Sequence, residues 1–209
     1  ASLKRLKTDW IDLYQYHFPD PLTPIDETLR ALDDLVRAGK VRYIGCSNMP
    51  AWRVVDADWT ARDQRLTRFV SCQDEYSLLF RKPEADLIPA MQALGLGLLP
   101  YFPLASGLLT GKYRRGEAIP EGTRFARAPT FAPRYMTERN WERVEGLRAF
   151  AEARGRSMVE LAFAWLAARP VVSSVIAGAM TPGQVEANVA AAAWTLGADE
   201  LAEIDKITA

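Results

Sequence analysis

The stretch Val41-Arg-Tyr-Ile-Gly-Cys46 runs directly into Ser47-Asn48 and then Pro50, and this passage decides the fold. The first six residues are mostly apolar with little alternation, as in a strand that is covered on both faces. Pro50 favours the start of a helix, because proline is well tolerated in the first helical turn. A buried strand, a polar end and a helix start, in that order, make up one βα unit.

The same order recurs along the chain. Apolar runs begin at residues 10, 41, 69 and 96, so that successive starts differ by 31, 28 and 27 residues, and a fifth run begins at residue 171. These intervals match the length of one βα unit. The alternation predicts an α/β fold with a parallel sheet and outer helices, and both a barrel and a doubly wound sheet fit it. The predicted strands are 10–16, 41–46, 69–72, 96–101 and 171–177.

Residues 102–136 break this pattern. They contain four prolines and show neither a helical nor a strand period. A loop of about 35 residues is far longer than ordinary βα connections. Two interpretations fit: a surface insertion, or a lid over an active site, because ligands of α/β proteins bind where strands end.

The composition excludes several classes of function. The 209 residues include 26 Lys and Arg against 26 Asp and Glu, so the net charge is zero and no basic nucleic-acid footprint exists. One histidine and two cysteines are too few for a transition-metal site or a disulfide framework. No apolar run approaches the ~20 residues of a membrane span, and the N-terminus lacks a signal-peptide stretch. We therefore expect a cytoplasmic protein without a nucleic-acid or membrane partner.

Polar residues follow each predicted strand, and such ends converge on one face in parallel α/β folds. Each of them also has a plain structural interpretation, for example a core histidine, a helix cap, a solvated turn for Gln73 and Glu75, or a packing aromatic. Among them, Ser47, Asn48 and Gln73 together are suited to bind an amide group through hydrogen bonds. The strand ends are His17, Ser47-Asn48, Gln73-Asp74-Glu75, Tyr101 with Ser106 and Gly107, and Gly178-Ala179.

Five segments carry a resemblance to a known family by their order and spacing: Leu6 to His17, Gly39 to Asn48, Gln73 to Leu78, Pro100 to Lys112 and Ile176 to Asn188. As a set they resemble the aldo-keto reductase family. The resemblance implies an incomplete TIM (β/α)8 barrel made of parallel strands four to eight, as a single domain over residues 1–209 with a lid-like loop at 102–136. It also implies NAD(P)H-dependent reduction of aldehydes and ketones to alcohols, with a small carbonyl compound as substrate.

The resemblance also assigns roles to the strand ends. His17 would orient and polarise the substrate carbonyl, and Tyr101 would stack on the nicotinamide ring. The carboxamide would be held by Ser47, Asn48 and Gln73. The pyrophosphate would be bound by Leu104, Ser106, Gly107 and Lys112, and the adenosine end by Gly178, Ala179, Met180, Gln184 and Asn188.

The sequence departs from the family pattern in two ways. Family members begin with three further βα units that carry an aspartate, a proton-donating tyrosine and a lysine, and this sequence has no counterpart of them. General acid catalysis contributes about 10²–10⁴-fold, so the chain is alternatively a catalytically inactive nucleotide-binding or regulatory subunit. In addition, Met180 stands where a basic residue often pairs with the 2′-phosphate, so NAD is compatible beside the expected NADP.

Two further expectations complete the sequence analysis. An unrelated barrel enzyme would need a catalytic carboxylate at a strand end, for which Glu75 is the nearest candidate. Five parallel strands cannot close an eight-stranded barrel, so the outer strands would expose unpaired edges. Such edges recruit other chains, so we expect either that the chain associates with itself through them or that it is the ordered remainder of a longer or cleaved polypeptide.

Overall fold

The computed structural model describes residues 1–209 and shows an α/β fold. Four parallel strands form one sheet in the order β1-β2-β3-β4. Their bounds are Ile11–Tyr16, Val41–Ser47, Phe69–Gln73 and Gly97–Leu98. The helices are α1 Ser2–Leu6, α2 Ile25–Arg37, α3 Ala51–Asp63, α4 Leu87–Leu94, α5 Arg124–Arg127, α6 Ala132–Tyr135, α7 Glu138–Glu152, α8 Met158–Ala167, α9 Pro182–Ala191 and α10 Ala198–Thr208. None of them is long and apolar enough to cross a membrane.

The chain divides into two compact units. The first comprises Ala1–Asp74 and Pro83–Leu99, and therefore the whole sheet with α1 to α4. The second comprises Glu75–Lys82 and Pro100–Ala209, with α5 to α10.

The centre of the first unit is the pairing of β2 with β3. Cys46 lies opposite Cys72 in the register, both are fully buried, and their Sγ atoms are 3.5 Å apart. The contact with Cys72 and the burial raise the pKa of the Cys46 thiol above its usual range. These side chains therefore act as small apolar core residues, as expected for buried cysteines in a strand.

The core of the second unit is built on α7 and α8. Helix α8 begins with a capping box, in which the Ser157 hydroxyl accepts from the Glu160 N–H and the Glu160 carboxylate accepts from the Ser157 N–H. The apolar residues of α8 are almost all buried, and Trp165 has no exposed surface. The sequence Ser157-Met-Val-Glu160 has the spacing that is typical of such a box.

Two strand predictions need correction. Only Gly97–Leu98 of the run 96–101 is a strand, and Tyr101 forms an isolated bridge with Glu75. The run 171–177, predicted as a fifth strand, is not one. Within it Val172 forms an isolated bridge, and the Ile176 N–H donates to the carbonyl of Pro100. Pro100 has no N–H to extend a ladder, so the pairing stops there.

The prediction about residues 102–136 also needs correction. Residues 102–136 contain four short helical turns rather than none: α5, α6, and the 3₁₀ turns Ala105–Thr110 and Pro129–Phe131. Buried side chains such as Leu108, Tyr113 and Phe125 hold these turns in place.

Candidate functional site

In the first unit, hydrogen bonds connect the ends of three strands around Asn48. The Asn48 amide Nδ2 donates to the His17 carbonyl at 3.1 Å and to Ser47 Oγ at 2.9 Å, and Ser47 Oγ donates to the Gln73 carbonyl at 2.6 Å. Asn48 has φ +57°, a left-handed conformation that asparagine tolerates better than most residues. The residues predicted to grip a carboxamide, Ser47, Asn48 and Gln73, thus lie at one place.

The His17 ring is exposed and packs edge-on against Phe18, with the ring centroids 4.7 Å apart. Below it, Gln15 Nε2 donates to Gln73 Oε1 at 2.5 Å. Gly45 leaves the space that these side chains occupy, since an added Cβ would lie 2.5 Å from Ser71 Oγ and 2.7 Å from Gln15 Oε1. A side chain at position 45 would therefore displace Ser71 Oγ and Gln15 Oε1 from these positions.

Asp74 follows β3 and carries the most unusual carboxyl group of this unit. Burial raises its pKa to about 7, although the Asn48 N–H opposes the shift by bonding to the carboxylate. The unfolded chain ionises this group at much lower pH, near 3.8. The burial of a neutral Asp74 carboxyl group is therefore compatible with full stability below pH 4. This contribution to stability is lost as the pH rises through about 7, because the group must ionise.

We expect Asp74→Asn to reveal this cost, because the amide keeps an acceptor for the Asn48 N–H and removes the charge. The free energy of unfolding of the variant, relative to the wild type, should increase between pH 5 and pH 8 by at least about 1.4 kcal/mol, the equivalent of one pKa unit. Urea unfolding at both pH values measures it. A difference between variant and wild type that is the same at both pH values would contradict the shifted pKa.

In the second unit, a cavity of ≈ 990 Å³ collects the remaining predicted residues. Its volume is at the upper end of the ~300–1,000 Å³ typical of ligand pockets. All ten residues predicted in this unit for a dinucleotide line the cavity: Tyr101, Leu104, Ser106, Gly107, Lys112, Gly178, Ala179, Met180, Gln184 and Asn188.

The turn at the cavity floor is strained. Ala105 and Ser106 have φ +46° and +56°, and Gly107 has φ +102°. Left-handed non-glycine residues cost free energy and gather at ligand sites. The Ser106 side chain is buried, and a Cβ on Gly107 would lie 3.5 Å from Lys112 Nζ. This segment therefore contributes a hydroxyl and an ammonium group to the lining of the cavity.

Helix α9 closes another side of the cavity with its first turns. The Thr181 side chain caps it, and Gln184 Oε1 accepts from the Met180 N–H at 2.6 Å. Gln184 and Asn188 are one helical turn apart, so both face the cavity. The positive end of the helix dipole favours an anionic ligand here.

The cavity also contains residues that sequence reasoning missed. Arg124 and Arg127 of α5 line it together with Lys112, and no carboxylate does. The Arg124 guanidinium lies 4.8 Å from the centre of the Phe102 ring and 5.2 Å from that of Phe131. The four-residue helix α5 has no periodic signal in the sequence, and the one signal available is that residues 102–136 contain five arginines.

Three cations without a carboxylate, the Ser106 hydroxyl and a helix N-terminus fit the phosphates of a dinucleotide. Tyr101 and Phe102 add flat aromatic surface, with their rings edge to face at 5.2 Å. No group of three or more His, Cys, Asp or Glu residues is arranged to hold a metal ion.

Comparison with known proteins identifies the class. The aldo/keto reductase family matches residues 1–209, so the chain belongs to this family, whose fold is a TIM barrel. It is 40% identical over 195 residues to a probable voltage-gated potassium channel subunit beta of Arabidopsis thaliana, covering 91% of this chain and 59% of the relative.

Two bacterial relatives carry names of enzymes. The chain is 37% identical to the uncharacterized oxidoreductase YrpG of Bacillus subtilis (strain 168), covering 99% of this chain and 61% of the relative. It is 35% identical to L-glyceraldehyde 3-phosphate reductase of Escherichia coli O157:H7, covering 98% and 60%. The chain thus spans about three fifths of the length of these relatives.

Proposed function

We propose that the chain is the cofactor-binding part of an NADP-dependent reductase of aldehydes and ketones, from strand four onward, in one cytoplasmic barrel domain. The observation that supports this proposal is the cavity of the second unit. It is lined by ten residues that the sequence predicts to bind a dinucleotide. Family membership supports oxidoreductase chemistry on a small carbonyl substrate.

In this proposal the residues of the chain bind and orient the reactants. A nicotinamide cofactor supplies hydride when bound. Tyr101 provides a stacking face for the nicotinamide ring, and Ser47, Asn48 and Gln73 provide donors and acceptors for a carboxamide. His17 donates a hydrogen bond to the substrate carbonyl oxygen. The aspartate, tyrosine and lysine that complete the proton transfer in this family have no counterpart in the sequence, so we propose that the chain alone turns over poorly.

We propose NADP rather than NAD because two arginines line the cavity. Met180 does not support this choice. The Met180 side chain is 79% exposed and carries no charge. Arg124 and Arg127 lie in the same cavity and supply the cations that a 2′-phosphate requires.

Titration of the 209-residue chain with NADPH, followed by the nicotinamide fluorescence, tests the proposal. We expect saturable binding that Tyr101→Ala weakens about tenfold or more, since stacking of a base on an aromatic ring contributes about 1–3 kcal/mol. Trp59→Ala, at an exposed position on α3, is the matched aromatic control and should leave binding unchanged. The absence of any binding by the wild type would overturn the proposal.

The second candidate is a catalytically inactive nucleotide-binding or regulatory subunit. It is favoured by the relatives that are named as potassium channel subunits beta, from Arabidopsis thaliana and Oryza sativa. An assay of NADPH oxidation with 4-nitrobenzaldehyde separates the two candidates. Binding with turnover supports the reductase, whereas binding without turnover supports the subunit.

We also propose that the chain associates with itself through its sheet. In the structure β1 pairs only with β2, and β4 only with β3, so both outer strands have an open edge. Exposed edges pair with other chains. Size-exclusion chromatography with light scattering should show dimers or larger species, and a stable 23 kDa monomer at all concentrations would contradict the prediction.

A further inference from the structure

The carboxyl group of Glu75 is buried and paired with two side chains of one short helix. Glu75 is 5% exposed, its Oε1 accepts from the Tyr135 hydroxyl at 2.5 Å, and its Oε2 forms an ion pair with Arg134. Both partners belong to α6. A buried carboxylate needs such partners, because an unpaired charge is very costly in a protein interior. The expectation that Glu75 is a solvated turn residue is therefore wrong.

The backbone of Glu75 is connected to the cavity on its other side. Glu75 forms a parallel bridge with Tyr101, and the next N–H, that of Tyr76, donates to the Tyr101 carbonyl at 3.4 Å. Tyr101 lines the cavity. A displacement of the Glu75 backbone would therefore also displace the proposed stacking face.

Tyr135 connects the same carboxylate to the helix that carries the cavity arginines. The Tyr135 ring lies 6.2 Å from the ring of the fully buried Phe125, which belongs to α5. The Asn140 amide donates to the Tyr135 carbonyl at 2.8 Å and fixes the end of α6. Helices α5 and α6 have four residues each and are too short to be stable alone, so these contacts hold them.

We propose that Glu75 is a positioning residue that fastens residues 124–135 against the cavity and sets the place of the Tyr101 ring. This inference rests on the proposed function, because it deepens the account of the dinucleotide cavity. Glu75 does not touch the reacting atoms in this role. Its carboxylate acts through Tyr135 on the arginine-bearing wall and through its backbone on Tyr101.

The fastening role predicts a local change in the chain without nucleotide. Tyr135→Phe removes one hydroxyl and keeps the ring, so the core around Phe125 remains filled. Hydrogen exchange of the amides in 124–136 should become about tenfold faster, as expected for the loss of one hydrogen bond to a charged group. Glu75→Gln should give the same local change, because the amide still accepts from Tyr135 and loses the charge that pairs with Arg134.

Asp58→Asn is the matched control. Asp58 is 7% exposed and accepts from two arginines, Arg62 and Arg68, but lies on α3 in the first unit. It should lower the overall stability without a selective increase of exchange in 124–136. If Tyr135→Phe and Glu75→Gln leave exchange in 124–136 unchanged, or raise it evenly over the chain as Asp58→Asn could, the inference is overturned.

Nucleotide binding supplies the readout that a merely structural role would not move. With NADPH, both Glu75→Gln and Tyr135→Phe should increase the dissociation rate constant about tenfold, and Glu75→Gln should also reduce the fluorescence change per bound nicotinamide. Dissociation and fluorescence changes equal to the wild type would contradict the positioning role. A wild type that binds no nucleotide refutes the proposed function, and the exchange experiment then still decides whether Glu75 fastens 124–135.

Discussion

Arg127→Ala is expected to weaken the binding of NADPH about 10–100-fold and that of NADH less than threefold, because a charge-assisted bond to phosphate contributes about 1.5–3 kcal/mol. Arg127 lines the cavity at the end of α5 and forms no ion pair within the chain. NADH lacks the 2′-phosphate, so the comparison isolates that group. Fluorescence titration of both nucleotides with wild type and variant measures the ratio.

The control for this experiment is Arg30→Ala. Arg30 is an exposed arginine on α2 whose guanidinium lies 4.0 Å from Asp26, and its removal subtracts the same charge from the protein. Surface pairs of this kind contribute about 0–1 kcal/mol to stability. Equal losses for NADPH and NADH in Arg127→Ala would place this arginine at the pyrophosphate instead, and no loss for either would remove it from the site.

Trp165→Ala is expected to lower the free energy of unfolding by about 3–5 kcal/mol, which is typical when a large aromatic is truncated inside a core. Trp165 is fully buried on α8, its ring centroid is 5.0 Å from that of Tyr76, and the Arg169 guanidinium lies 4.3 Å from the indole. The substitution creates a cavity and leaves the arginine without its aromatic partner. Urea unfolding gives the difference.

Trp59→Ala provides the comparison within the same protein. Trp59 is 71% exposed on α3, and surface substitutions of this kind usually change stability by less than about 0.5 kcal/mol. Similar losses in the two tryptophan variants would show that Trp165 is not in a tightly packed core.

The regular part of the fold could be predicted from sequence, because its signals are local. The strands β1 to β3 begin within one residue of the predicted starts. The predicted fifth strand was wrong because apolar residues in this run indicate neither burial nor strand pairing: only Val171 is buried, and Ile176 is 42% exposed. Residues 171–177 contain the apolar pattern, yet their pairing ends at Pro100, which lies far away in sequence.

In the candidate site, too, residues with a local sequence signal could be predicted, and residues placed by contacts distant in sequence could not. Residues at strand ends could be selected from the sequence, since each follows an apolar run. Arg124 and Arg127 could not be selected in this way. They line the cavity because the buried side chain of Phe125 holds the short helix α5 in place. The burial of Glu75 depends on Arg134 and Tyr135, about sixty residues later in the chain, and no periodicity connects these positions.

The thiol pair in the sheet gives this protein an internal reporter of opening. Cys46 and Cys72 are the only cysteines, and both are inaccessible while β2 and β3 remain paired. An alkylating reagent therefore modifies the native chain only during excursions that separate those strands. The kinetics of alkylation, followed by mass spectrometry, thus measure how often β2 and β3 separate. No probe has to be engineered into the molecule.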